Sequence, residues 1–129
     1  MKVYISHSGK FDFENELYKP LRESVLNESH TFFFPHEGQK DLNTKEILKD
    51  CDLVIAEVSF PSTGQGIELG WANTMNIPIL CISKEEGGKV SNSLKYIASD
   101  FIIYFNQKDL ISKLLDFFFK VVFTKVRPL

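Results

Sequence analysis

Charge is what the middle of this chain lacks. A quarter of its 129 residues are Asp, Glu, Lys or Arg. The 26 residues from 58 to 83 should therefore carry about six charges on composition alone, and they carry one, Glu68. Cysteine is scarce too. Cys51 and Cys81 cannot build a disulfide framework, and their spacing is no zinc pattern. They read as reduced thiols of a cytoplasmic protein. No apolar run reaches the length of a membrane span. The net charge of −2 gives no electrostatic reason to bind nucleic acid or membrane. K-V-Y-I-S follows Met1 directly and reads as a strand, not a signal peptide.

Several catalytic motifs are missing as well. There is no G-K-[ST] and so no P-loop, and no Ser stands in a G-x-S-x-G elbow. No two histidines have metal-ligand spacing and the carboxylates do not cluster, so no metal is expected. The G-x-G at Gly64 and Gly66 lacks the third glycine of the dinucleotide fingerprint and follows the third strand, not the first. No cofactor is expected.

What is present is alternation. Strand-like runs at 2–6, 30–35, 52–58, 77–82 and 101–105 alternate with helical patterns at 12–27, 44–51, 65–75, 91–98 and 107–125. In the first helix Phe13, Leu17, Leu21 and Val25 repeat at four, with Pro20 set to kink the pattern. The alternation predicts an α/β protein with a five-stranded parallel sheet. The expected form is a flavodoxin-like (Rossmann-like) three-layer sandwich with strand order 2-1-3-4-5, one domain over 1–129.

Ligands of such sheets bind beyond the carboxyl ends of the strands, at the switch point. That rule selects the loops 6–10, 35–37, 59–68 and 83–93. It gathers Ser8, His36, Ser62, Glu68, Ser91 and Ser93 around one cleft. Glu68 follows an apolar strand and a Gly-rich turn, near the start of a helix, where backbone N–H groups favour an anion. Two readings stand. Glu68 complements the helix dipole, or it is a carboxylate set apart for chemistry. His7 and His36 lie in site-facing loops, where a histidine is either solvated and hydrogen-bonded or a proton donor. Glu57, at the end of its strand, is expected to satisfy backbone or loop donors. The last helix carries Leu114, Leu115, Phe117, Phe118, Phe119, Val121, Val122 and Phe123. Those residues cover more than one face, which points to a homodimer or higher homo-oligomer.

The run from Asp52, D-L-V-I-A-E-V-S-F-P-S-T-G-Q-G-I-E-L-G-W-A, resembles the signature of the nucleoside 2-deoxyribosyltransferases and the 2′-deoxynucleoside 5′-phosphate N-hydrolases. Y-I-S-H-S-G-K from Tyr4 to Lys10 and the later I-P-I-L-C-I fit the same pattern, and the resemblance reaches about Ile97. It implies that Glu68 is the nucleophile that attacks C1′ of the sugar and expels the base. Water or a second base then resolves the glycosyl-enzyme ester. It implies a nucleotide or nucleoside substrate, with Tyr4, Gly64 and Gly66 among the residues that bind it. Family members that use free nucleosides carry an acid at position 62, and the phosphate-using hydrolases carry Ser. Ser62 therefore implies a 5′-phosphate, with Ser8, Lys10 and Ser91 or Ser93 as its further contacts. Two positions depart from the pattern. Thr44 stands where the family has a catalytic Asp, which leaves Asp41 or His7 to protonate the leaving base, and His7 stands where the hydrolases have Gly.

The expected function is thus an N-glycosidase or transglycosylase acting on a nucleoside 5′-monophosphate. Two rivals accompany it. One is a nucleotide-binding or sensor module without catalysis, which the Thr44 departure favours. The other is a NAD glycohydrolase resembling the Toll/interleukin-receptor domains, which also use a helix Glu.

Overall fold

The computed structural model describes residues 1–37, 43–86 and 89–126, with side chains described as far as residue 121. Five strands, β1 (Lys2–His7), β2 (Thr31–Phe33), β3 (Leu53–Glu57), β4 (Ile79–Lys84) and β5 (Asp100–Tyr104), form one sheet. Every pairing is parallel and the order is β2-β1-β3-β4-β5, as the alternation predicts.

A parallel sheet covered on both faces needs strands that are apolar on both faces. The period-2 alternation of side chains then sorts those residues into two cores. Val3, Ile5, Leu53, Ile55, Leu80 and Ile82 point to one side. There they meet Leu17 and Leu21 of the first helical region and Leu110, Leu114 and Phe118 of α5 (Gln107–Val126). Tyr4, Val54, Ala56, Ile79 and Cys81 point to the other side. There they meet Leu48 of α3 (Thr44–Lys49) and Leu69 and Ala72 of α4 (Thr63–Thr74).

The first helical region is more broken than its spacing predicts. A π-helical turn (Glu14–Tyr18) precedes α1 (Lys19–Glu23), and the Lys19 N–H closes the wider ring by donating to the Glu14 carbonyl. The extra residue gives the Pro20 ring room it would not have in a regular helix, where it collides with the carbonyl four residues back. Ser24 then turns extended, with ψ 161°, before the single turn α2 (Leu26–Ser29). The break moves the inward position by one residue. Leu26 is buried, and Val25, expected inside, is 53% exposed.

Two helix starts follow their caps. The Asn43 side chain accepts the Glu46 N–H at the start of α3, and the Ser62 side chain accepts the Gln65 N–H at the start of α4. Ser62 thereby starts α4 two residues before the apolar periodicity does. α4 ends at Asn76, which takes a left-handed φ of 59° and lets the Ile77 N–H reach the Ala72 carbonyl. The segment expected as a helix at 91–98 is a single 3₁₀ turn (Asn92–Tyr96) with no buried residue.

α5 sorts its aromatics more sharply than its composition suggests. Leu110, Leu114 and Phe118 are buried, whereas Leu115 is 38% and Phe119 72% exposed. Val122 and Phe123, counted in the expected second stripe, lie outside the described side chains. Among the described residues no helix is long and apolar enough to cross a membrane. The unequal burial gives a stability test. Phe118→Ala should destabilise the fold by about 3–5 kcal/mol through the cavity it leaves, and Phe119→Ala should cost under about 1 kcal/mol. Urea unfolding of the two variants measures both.

Candidate active site

Strand parity decides what faces Glu68. Tyr4 and Ser6 are two apart on β1 and so point to the side where α4 packs. The Tyr4 hydroxyl donates to Glu68 Oε2 at 2.6 Å, and the Ser6 hydroxyl donates to Oε1 at 3.0 Å. Each carboxylate oxygen is therefore held by a neutral donor from the same strand. Tyr4 is fully buried, its ring stacked on Phe33 at 5.7 Å. Thr44, in the first turn of α3, is near enough to Tyr4 to offset a little of the rise in its pKa. Ser6 and Thr44 are additions to the expected site, and Ser6 could have been found by counting two residues on from Tyr4.

The electrostatics follow from burial. Desolvation pushes the Glu68 carboxyl above its ordinary pKa, while the hydrogen bonds from Tyr4 and Ser6 and the charge of His36 pull it back. The Tyr4 phenol is pushed far above its ordinary range by burial, then by its bond to Glu68 and that group's charge. A phenol so raised keeps its proton and remains a donor. His36, exposed in the loop after β2, is the imidazole whose charge reaches Glu68.

His7 goes elsewhere, and this corrects its expected role in proton transfer. It is one residue beyond Ser6, so its side chain turns to the opposite side of the sheet. It sits there 5% exposed against Phe13 and Tyr18. Its Nδ1 donates to the Ser8 carbonyl at 2.9 Å and its Nε2 takes the Tyr18 hydroxyl. Burial lowers its pKa to about 4. A neutral imidazole with both nitrogens engaged has no proton to spare for a base.

Ser8 lies just past β1. It is buried, and its hydroxyl accepts the Lys10 N–H within its own loop. The other expected phosphate contacts do come together. Lys10, Ser62, Ser91 and Ser93 share the lining of a cavity of about 700 Å³. Gly64 stands one turn before Glu68 on the same face of α4, whereas Gly66 lines the cavity. A Cβ at either glycine would meet nothing within 4 Å. Asp41 lies outside the described residues. Among the described residues no group of three or more His, Cys, Asp or Glu side chains is placed to hold a metal ion.

The loop that carries Ser62 is anchored from below. Glu57 is 1% exposed at the end of β3. It accepts the Ser59 N–H at 2.6 Å and the Tyr104 hydroxyl. Gln65, in the first turn of α4, donates to the Glu57 carbonyl at 2.9 Å. Glu57 thus satisfies loop donors, as its place in the strand suggests.

A parallel sheet of order β2-β1-β3-β4-β5 is a flavodoxin-like fold, and here a carboxylate from the helix after β3 is held by hydroxyls of β1. The chain is similar in sequence to the 5-hydroxymethyl-dUMP N-hydrolase of Rattus norvegicus, 36% identical over 99 residues covering 77% of this chain and 53% of that protein. It is 32% identical over 91 residues to the protein of the same name from Danio rerio, covering 67% of this chain and 64% of the relative. The chain thus spans between about half and two thirds of the length of these relatives. In structure it resembles the CMP N-glycosidase of Clostridium botulinum, with TM-score 0.65, 23% identity, and coverage of 88% of this chain and 98% of that one. It also resembles a 2-deoxyribosyltransferase from Bacillus psychrosaccharolyticus, with TM-score 0.59, 18% identity, and coverage of 86% and 90%. No family model matches the chain. The resemblance read from the central motif holds.

Two desolvated groups, the buried His7 and the partly buried Glu68, make stability depend on pH with opposite signs. His7 is held neutral below its unfolded pKa of 6.5. Its contribution is therefore complete above pH 6.5 and lost as the pH falls toward 4, a loss of at most about 3 kcal/mol. Glu68 has a raised pKa, so its contribution is complete below the ordinary carboxylate range and lost as the pH rises through its folded value. Glu68→Gln should accordingly raise the melting temperature at pH 7.5 and lose that advantage below pH 4.5. His7→Gln should flatten the decline between pH 6.5 and 4. Melting curves across that range check both signs.

Proposed function

We propose that this chain is an N-glycosidase or transglycosylase that cleaves the base–sugar bond of a nucleoside 5′-monophosphate, with Glu68 as nucleophile. The observation that carries the reading is the pair of hydrogen bonds from Tyr4 and Ser6 to the two oxygens of the partly buried Glu68 carboxylate. They fix the carboxylate in one orientation and favour its charged form without neutralising it.

In this mechanism the base departs as C1′ gains oxocarbenium character, and a Glu68 oxygen stabilises that charge and then bonds to C1′. The departing nitrogen takes the bonding pair and a proton, and we assign that proton to His36, whose ring lies 5.0 Å from that of His7 and whose charge acts on Glu68. Water, or the nitrogen of a second base, then attacks C1′ of the ester and releases Glu68. Lys10, Ser62, Ser91 and Ser93 bind the 5′-phosphate near the start of α4. Glu68 lies six residues, about 9 Å, further along the helix. A nucleotide bridges that separation when its phosphate is at the cap and C1′ touches the carboxylate. The N-hydrolase names of the relatives support this reading.

We also infer a homodimer. Leu115 and Phe119 on α5, together with Phe101 and Ile103 on β5, are exposed apolar side chains that a second copy would cover. The free thiols of Cys51 and Cys81 favour a reducing compartment, the cytoplasm.

The test is incubation with a panel of nucleotides, nucleosides and NAD, with chromatography for free base. Glu68→Gln should lower base release by a factor on the order of 10⁴, and His36→Ala by about a hundredfold. Unchanged turnover in Glu68→Gln removes it as nucleophile. A 5′-phosphate should improve binding well over tenfold, because charge-assisted hydrogen bonds contribute roughly 1.5–3 kcal/mol each. Equal affinity for nucleoside and nucleotide by calorimetry refutes the anion pocket.

A further inference from the structure

The cavity that gathers the expected phosphate contacts is larger than a phosphate needs, and it extends away from Glu68. Its lining includes Gly66 and Gly70 of α4, Leu94 and Ile97 around the 3₁₀ turn, and Val58 after β3. Glu68 is not part of it. At about 100° per residue, Glu68 is about 200° round the helix from both Gly66 and Gly70. The sheet order agrees. The partners of Glu68 are on β1, on one side of β3, while the 3₁₀ turn follows β4, on the other. The glycines of the cavity wall therefore face away from the nucleophile, and the helix start, where Ser62 and Lys10 are, joins the two sides.

A nucleoside 5′-monophosphate held with C1′ at Glu68 would reach the cavity only with its phosphate, at Lys10, Ser62, Ser91 and Ser93, and leave the apolar part empty. At about 700 Å³ the cavity is within the range of small-molecule sites and large enough for a second nucleoside. Its chemistry is graded. Lys10 and the hydroxyls of Ser62, Ser91 and Ser93 form the polar part, and Val58, Leu69, Leu94 and Ile97 form the apolar part. The wall between them is flat, because Gly66 and Gly70 present only backbone and a Cβ at either would meet nothing within 4 Å. A flat apolar wall next to an anion-binding edge suits a planar ring joined to phosphate.

Building on the proposed glycosidase reading, we propose that the preferred substrate is a nucleotide whose 5′-phosphate is itself esterified, a dinucleotide joined through pyrophosphate. Its labile half lies against Glu68, its phosphates cross the start of α4, and its second nucleoside fills the cavity between α4 and the 3₁₀ turn.

ADP-ribose and ribose 5-phosphate isolate the second half, since neither carries a base that Glu68 could release. Calorimetry on the full chain should show ADP-ribose binding at least tenfold tighter. Gly70→Phe puts a ring into the cavity at a position where the helix gains propensity and the new Cβ meets no atom within 4 Å. It should bring the ratio of the two affinities to within about twofold of one. Equal binding of the two ligands by the unmodified protein overturns the proposal, and so does a preference for ADP-ribose that Gly70→Phe leaves intact. Base release by the unmodified protein, assayed with CMP, nicotinamide mononucleotide and NAD, separates the two ideas. Release from the monophosphates with no preference for ADP-ribose overturns the dinucleotide and keeps the glycosidase. A Gly70-dependent preference for ADP-ribose without release from any of the three keeps the cavity site and overturns the glycosidase.

Discussion

The structure depends on one desolvated carboxylate held against one strand. A buried carboxylate is costly unless its charge is matched by hydrogen bonds, and Glu68 is matched by two neutral hydroxyls of β1, not by a cation. The difference matters for chemistry. A salt bridge would lower the pKa and also lower the nucleophilicity of the oxygens. Hydroxyls orient the group and leave its charge available to a developing cation. The demand passes outward. Tyr4 must be rigid to hold Glu68, and it is fully buried and stacked on Phe33. β2, β1 and α4 are therefore tied together through a single side chain.

A second buried carboxylate does the opposite work. Glu57 spends its two oxygens on Ser59 and Tyr104, and its carbonyl on Gln65. Ser59 accepts the Lys84 N–H at 2.8 Å and the Lys89 N–H at 2.7 Å. The loop bearing Ser62 is thus fixed to β4, β5 and α4 at once. Glu57 and Glu68 are both acids of the same strand–loop–helix unit, yet one is consumed by backbone and loop donors and the other is held by two side-chain hydroxyls of β1. Their surroundings, not their residue type, make that distinction.

Much of this was legible in the sequence, for physical reasons. A parallel sheet buries both faces of its strands, so D-L-V-I-A-E-V announces a central strand, and the alternation of elements fixes the order. The scarcity of charge around Glu68 marks it because an isolated acid in an apolar stretch must be either exposed or matched. What could not be read depends on side-chain direction at the sheet edge and on backbone breaks. His7 follows Ser6 by one residue and so faces away, which the loop assignment concealed. Val25 gives way to Leu26 because the Ser24 break shifts the register by one. Ser8 fell into its own loop because a short hydroxyl next to a free N–H satisfies it first.

The glycines of α4 show what the fold concedes for its site. Gly64, Gly66 and Gly70 each cost the helix about 1 kcal/mol relative to Ala, so three of them in twelve residues are a substantial local penalty. None is required by crowding, since a Cβ at each would meet no atom within 4 Å, and none has a left-handed φ. The penalty is offset by the Ser62 cap, the Gln65 bond to the Glu57 carbonyl, and the burial of Leu69 and Ala72. Packing therefore gives no reason for these residues to lack side chains. A reason appears only when the space beside them is needed. Gly64 clears the face that carries Glu68, and Gly66 and Gly70 clear the face toward the cavity. A helix bared on two sides, about 200° apart, is one built to be approached on both.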